Sequence, residues 1–240
     1  MDDPSIDPSL LAWALRDLDR LNRWGRTAAG LAGAVCRIVD AAESTPAACT
    51  VLDVGCGGGG LTRSLATRLT AARPSVAWRV VGIDPSAPSI AAATEAAAAA
   101  GDERVEFRVA SGHGQSLANA AGGPVDLVVS SLVLHHLPPG ELRQLLAACA
   151  AEARIGVVMD DLRRDRRAMA ITLLAVRTLS RCPVVHVDGP RSVRAALTPE
   201  ELRVLAEDAG LTGGRVIGGG PARMRLLWTR GGGPPHGVPA

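Results

Sequence analysis

The chain has no lysine, no tyrosine and a single phenylalanine in 240 residues, so its 26 basic residues are all arginines. These absences exclude a Schiff-base or general-base lysine, a P-loop lysine and a tyrosine acid/base. They also leave few of the aromatic platforms on which single-stranded nucleic acids stack. The net charge of +2 gives no field that would select nucleic acid or an anionic membrane. Five cysteines (Cys36, Cys49, Cys56, Cys149 and Cys182) contain no C-x-x-C pair and are odd in number. They read as reduced thiols of a cytoplasmic protein. No stretch approaches the roughly 18 continuous apolar residues of a membrane span. The acidic start, MDDPSIDP, has no apolar region of a signal peptide. What is present, 47% hydrophobic and 21% charged residues, is a globular composition with a sizeable core.

Residues 9–40 read as helix, with Leu11, Leu15, Leu18 and Leu21 at three- and four-residue steps and breaks or bends at Gly25, Gly30 and Gly33. From Thr50 the pattern changes. The runs TVLDV, WRVVGID, RVEFRV, VDLVVSS and RIGVVMD read as strands, with helices over Leu61–Ala72, Ala87–Ala100 and Pro139–Ala153. Alternating strands and helices predict a parallel α/β sheet covered on both faces. Next come an Arg-rich helix over 162–180, a loop CPVVHVDGPRS, and a helix beginning Thr198-Pro199-Glu200-Glu201. Two final strands, GRVIGG and RMRLLWTR, precede a tail, 231–240, that reads as disordered.

The strongest motif lies between the first strand and its helix, Val51-Leu52-Asp53-Val54-Gly55-Cys56-Gly57-Gly58-Gly59-Gly60. Glycines there let the backbone turn tightly and approach a ligand at a helix N-terminus. The string satisfies both G-x-G-x-x-G and D-x-G-x-G-x-G. Asp53 favours the second reading: a carboxylate beside a pyrophosphate repels it, whereas one beside the ammonium and sulfonium of S-adenosylmethionine attracts them. Asp84 closes the second strand, where an acid accepts hydrogen bonds from ribose hydroxyls. A ribose acid fits NAD equally well, and Asp84 also reads as a helix cap before Pro85-Ser86.

VLDVGCGGGGLTRSLA, GIDPS and VDLVVSSLVLHHLPP, in this order over residues 48–160, resemble a class I S-adenosylmethionine-dependent methyltransferase. The resemblance implies a Rossmann-like seven-stranded, mostly parallel sheet with a reversed last hairpin. It places Asp53, Gly55, Gly57 and Gly59 around the methionine moiety and Asp84 on the ribose. Ser111 and Gly112 fall where the family often has an acid contacting adenine, and here that acid is missing. Ser130 falls beside the cofactor. Residues 1–47 then form a helical lid on a methyltransferase domain of 48–230, with 161–197 an inserted helical cap.

Methyl transfer is an in-line displacement that requires the acceptor to be aligned and, for a phenol, its proton removed. His136 and His135 follow the fourth strand on the edge where open α/β sheets bind ligands, and an imidazole pKa near about 6.5 suits base work. His136 is the first candidate and His135 the second, with Asp161 orienting the base or else capping the next helix. Asp160, His186 and Asp188 are weaker candidates for contacting the acceptor. With Ser130-Ser131 in place of a carboxylate at the fourth strand's end, no metal is expected. DDLRRDR and HVDGPRSVRAALTPEEL also resemble, more weakly, small methyltransferases of bacterial specialised metabolism. The expected partner is a small aromatic or polyketide-derived acceptor, with O-methylation ahead of C-methylation. An NAD-linked oxidoreductase and a non-catalytic cofactor-binding module are the other readings. A homodimer is compatible with the sequence.

Overall fold

A computed structural model describes residues 8–42 and 46–231. All but the first residue of the expected disordered tail therefore lies outside the described residues. The chain opens with two helices, α1 (Pro8–Trp24) and α2 (Thr27–Asp40). Strands and helices then alternate: β1 (Ala48–Val54), α3 (Gly60–Ala72), β2 (Ala77–Asp84), α4 (Ala87–Ala99), β3 (Val105–Val109), α5 (Leu117–Ala121), β4 (Leu127–Ser131), α6 (Pro139–Glu152) and β5 (Gly156–Leu162). A 3-10 turn, Leu134–His136, follows β4. After β5 come α7 (Arg166–Leu179), α8 (Pro183–Ala195), α9 (Pro199–Asp208), β6 (Arg215–Gly220) and β7 (Arg223–Thr229).

The seven strands are ordered β3-β2-β1-β4-β5-β7-β6. β1 to β5 run parallel, and β7 returns antiparallel between β5 and β6. This is the Rossmann-like sheet with a reversed last hairpin. The central strands are apolar on both faces because helices cover both. On one face α2 and α3 bury Leu31, Val35, Ile38, Leu65 and Leu69 against Val51 and Val129. On the other, α6 and α9 bury Leu142, Leu145, Leu146 and Leu202 against Leu52 and Val128.

The parallel arrangement brings the C-terminal ends of β1, β2, β4 and β5 to one edge, and α1, α7 and α8 gather beside it. A small core of Ala14, Val176, Cys182 and Val185 holds these helices together. Buried Asp17 adds a polar fastening. Its Oδ2 accepts hydrogen bonds from Ser180 Oγ at 2.7 Å, Arg181 N at 2.9 Å and Cys182 N at 3.1 Å. Burial raises the Asp17 carboxyl, but these three donors and the Arg20 charge outweigh it and hold the group below its usual range.

Several local expectations change. The expected loop CPVVHVDGPRS is mostly helix α8, despite Gly189 and the internal Pro190. Val185 and Val193 are buried from it, so packing overrides the two breakers. The Arg-rich helix starts at Arg166 because Asp165, not Asp161, caps it, accepting from Ala168 N at 2.8 Å. The break in the N-terminal helices falls at Gly25-Arg26, and Gly30 lies inside α2. A Cβ on Gly30 would stand 2.6 Å from Arg225 Nη2, so that glycine serves close approach rather than a bend. The short helix α5 was not anticipated. Its N-terminal amides are held from a distance by Glu152, which accepts from Leu117 N at 3.0 Å and Ala118 N at 2.9 Å.

Candidate active site

The β1–α3 loop is positioned by its own backbone. Gly55 N and Cys56 N donate to Ile83 O at 2.8 and 3.0 Å, pinning the loop to β2. Gly55, Gly57 and Gly59 have φ of +75°, +52° and +73°, the left-handed region that side chains disfavour. A Cβ on Gly55 would lie 2.2 Å from Val133 Cγ2, so the loop packs directly on the segment after β4. Asp84 Oδ2 accepts from Gly57 N at 3.0 Å, and Oδ1 accepts from Ser86 N at 2.9 Å. The cap of α4 is Ser86 itself, so Asp84 braces the loop instead.

Asp53 lies beneath the loop and is 2% exposed. Burial pushes its carboxyl up to about 7; a 2.7 Å hydrogen bond from Thr62 Oγ1 opposes this, and the Asp84 charge adds to it. Ser130 is also beneath, donating to Val54 O at 2.9 Å and tying β4 to β1. Ser111 stands in the loop after β3, its carbonyl accepting from Gln115 Nε2 at 2.7 Å. Gly112 beside it is buried against Val54.

The other half of the edge is made of side chains. Leu132, straight after β4, is held at φ +61° with its N–H on Asp160 O at 3.0 Å. A non-glycine residue in that conformation marks local strain. The turn that follows delivers His135 and His136. His135 Nδ1 stands 2.6 Å from Asp161 Oδ1, and His135 N donates to Asp161 Oδ2 at 3.1 Å. Both side chains are at most 3% exposed. Burial raises the Asp161 carboxyl, but the His135 charge and hydrogen bond, Leu162 N–H and the Arg223 charge outweigh it, and the group lies below its usual range. An ionised Asp161 makes Nδ1 the donor and leaves Nε2 as the free base nitrogen. Asp161 was expected beside His136 first. The structure puts it on His135, with the two imidazole centroids 4.1 Å apart.

His135 and His136 line a cleft of about 870 Å³, its open mouth included. Its other walls are apolar residues of the N-terminal and cap helices, among them Leu21, Trp24, Ile171, Val176 and Val185. Asp188 also lines it. His186 does not. It is exposed on α8, with Nε2 2.9 Å from Ser180 O. Asp160 lies behind the wall with its side chain fully buried. Its Oδ1 is bound by Arg223 Nε and its Oδ2 by Arg225 Nη2. Arg223 also donates to Ser131 Oγ at 2.6 Å, and Arg223 and Asn22 reach the cleft wall. Neither was singled out from sequence. The available signal was RMRLLWTR, where Arg223 and Arg225 fall on one face of an otherwise apolar strand. Such charges need buried carboxylate partners. Among the described residues no three His, Cys, Asp or Glu side chains gather to hold a metal ion, and no helix is long and apolar enough to cross a membrane.

Comparisons with known proteins agree with this geometry. Residues 51–156 match a family described as a methyltransferase domain. A ubiquinone biosynthesis O-methyltransferase of Xanthomonas axonopodis pv. citri is 30% identical over 172 residues, covering 71% of this chain and 65% of that protein. The counterpart from Caulobacter vibrioides is 32% identical over 64% of this chain and 56% of its own length. The match thus spans less than two thirds of these relatives. Among solved structures, the plantazolicin methyltransferase BamL, in complex with a desmethylPZN analog and SAH, superposes with a TM-score of 0.64 at 15% identity, over 91% of this chain and 89% of that one. Magnesium protoporphyrin IX methyltransferase from Synechocystis PCC 6803 gives 0.56 at 18% identity, over 95% and 90%. At these identities the superpositions speak to the fold, and the matched motifs speak to the family. Residues 51–156 thus match a methyltransferase domain, carried on the class I S-adenosylmethionine-dependent methyltransferase fold.

Proposed function

We propose that the chain is an O-methyltransferase acting on a small, phenol-type acceptor held in the cleft beside His135. The observation that carries this is the buried His135–Asp161 pair on the wall of an otherwise mainly apolar cleft. The curated relatives are ubiquinone biosynthesis O-methyltransferases, which supports an oxygen acceptor.

The donor set fits S-adenosylmethionine. The glycine loop offers close backbone approach, Asp84 stands at the end of β2 for the ribose, and Asp53 lies beneath the loop, where a cation would favour its ionised form. When bound, that cofactor supplies a methyl group on a sulfonium. The chain's own work is to align the acceptor and move its proton. A phenol with a pKa near about 10 loses its proton to His135 Nε2, because Asp161 fixes the ring and balances the imidazolium. This assignment replaces His136 as first candidate, and His136 becomes a wall of the cleft. α1 with α7 and α8 forms the lid that excludes water during transfer. Asp160 and Asp161 are committed to arginines and to His135, so the reaction needs no divalent metal.

The test is transfer of labelled methyl from S-adenosylmethionine to a panel of simple phenols and catechols, with and without excess chelator. Methyl ethers in both arms are expected. Methyl on ring carbon, no transfer to any phenol, or loss on chelation that magnesium restores would contradict this reading.

A further inference from the structure

The arginine cluster on β7 has no part in the proton transfer above, yet it reaches the same cleft. Ser131, Asp160 and Arg225 stand in register across β4, β5 and β7. Arg223, two residues along β7, shares their face because side chains alternate along a strand. Asp161 therefore points to the opposite face. The single negative charge of Asp160 meets two guanidinium groups, and none of the three side chains is more than 8% exposed. Within the cluster the positive charge exceeds the negative by one, and its balance is Asp161, whose carboxyl the Arg223 charge helps to hold below its usual range until an imidazolium at His135 takes that partner.

Arg223 is the member of the cluster on the cleft wall. Its Nε is bound to Asp160, Nη2 donates to Ser131, and Nη1 reaches Asn22 Oδ1 only at 3.4 Å. A guanidinium carries five N–H donors. Two of them have no acceptor among the described residues.

We propose that Arg223 receives the ionising oxygen of the acceptor, so that the cleft selects phenols as their anions. The proposal rests on the reading of the cleft as the acceptor site. The acceptor O–H bond gives its proton to His135 Nε2, and the oxygen keeps the electron pair. The imidazolium pairs with Asp161, and the phenolate faces the excess charge of the Arg223–Asp160–Arg225 cluster. Both new charges are compensated by groups already in place. That oxygen pair then forms the O–CH₃ bond as the bond from methyl to sulfonium breaks, and the released pair neutralises the sulfur. The remaining titratable groups on the cleft wall, His136 and Asp188, are common to every variant compared below.

The experiment uses para-nitrophenol, whose absorbance separates phenol from phenolate, with S-adenosylhomocysteine filling the cofactor site so that nothing turns over. Wild type should bind the phenolate about tenfold more tightly than the phenol, which lowers the apparent pKa of the bound dye by about one unit. Arg223→Gln should abolish the preference while S-adenosylhomocysteine affinity stays the same. Arg223→Lys should keep part of it. Arg225→Gln removes the same charge from Asp160 but lies behind the wall, so it should lose less. Equal phenolate binding in wild type and Arg223→Gln, no preference in wild type, or equal losses from Arg223→Gln and Arg225→Gln would overturn the proposal. Should Arg223→Gln fail to fold, Arg223→Lys decides, and a bound dye no more ionised than in water counts against Arg223. Failure of the methyl-transfer reading is distinct, because it would appear as no methyl ether from any phenol.

Discussion

The two halves of the sheet's carboxyl edge are built by different means. At β1 and β2 the backbone forms the site: left-handed glycines, amides pinned to Ile83 O, and a carboxylate holding the turn. At β4, β5 and β7 side chains form it. His135, Asp161 and Arg223 converge with Asn22 of α1, and 201 positions separate Asn22 from Arg223. A backbone site takes whatever shares one common shape, as a cofactor does. A side-chain site can be rewritten residue by residue without disturbing the fold that carries it.

The sharpest way to break that comparison is to damage the backbone half alone. In Gly55→Ala the new Cβ meets Val133 at 2.2 Å from a φ of +75°. Left-handed strain and overpacking together should cost about 2–5 kcal/mol. The denaturation midpoint should fall, and S-adenosylhomocysteine binding with it. Val133→Ala in the same chain should recover part of the loss, and strict additivity would show that the loop does not pack on Val133.

A smaller effect is expected from the fastening of the lid. Asp17→Ala strands the buried donors of Ser180, Arg181 and Cys182, at a cost of about 1–3 kcal/mol. Proteolysis near the exposed Arg177 and Arg181 should accelerate while cofactor affinity holds. Because Asp17 titrates below its unfolded value of about 3.9, its contribution is present above that pH and is lost as pH falls through the folded value. Acid should therefore loosen α1 from the α7–α8 link in wild type and change little more in Asp17→Ala.

The smallest effect concerns Asp53. A carboxyl raised to about 7 contributes stability that is fully present below its unfolded pKa and is lost as pH rises through about 7. A cationic ligand favours the ionised form, so binding expels a proton and affinity should rise about tenfold as pH climbs through about 7. Asp53→Asn should flatten both trends, and a persistent slope in calorimetric titrations would assign the proton elsewhere.

The same division explains what the sequence revealed. Glycine loop, Asp84 and the strand–helix alternation are local patterns, each fixed within one strand–turn–helix unit, and so the fold and the shape of the glycine loop were legible. That Asp161 belongs to His135 was not, because adjacent histidines differ only in which way the 3-10 turn points them. Asp160 stood out as a polar strand end, but its burial depends on arginines 63 and 65 positions away. Helix α8 was hidden behind Gly189-Pro190, whose breaker chemistry is outweighed by the contacts of Val185 and Val193.

The central claim is that one half of the edge holds the cofactor while His135, fixed by Asp161, performs the proton transfer in the other. It is tested most directly by measuring His135→Ala twice, once by calorimetry with S-adenosylhomocysteine and once by single-turnover methyl transfer to a phenol that wild type methylates. The account predicts an unchanged Kd and a rate lower by about 10²–10⁴-fold. A rate near that of wild type, or a Kd that weakens as far as the rate falls, would contradict it.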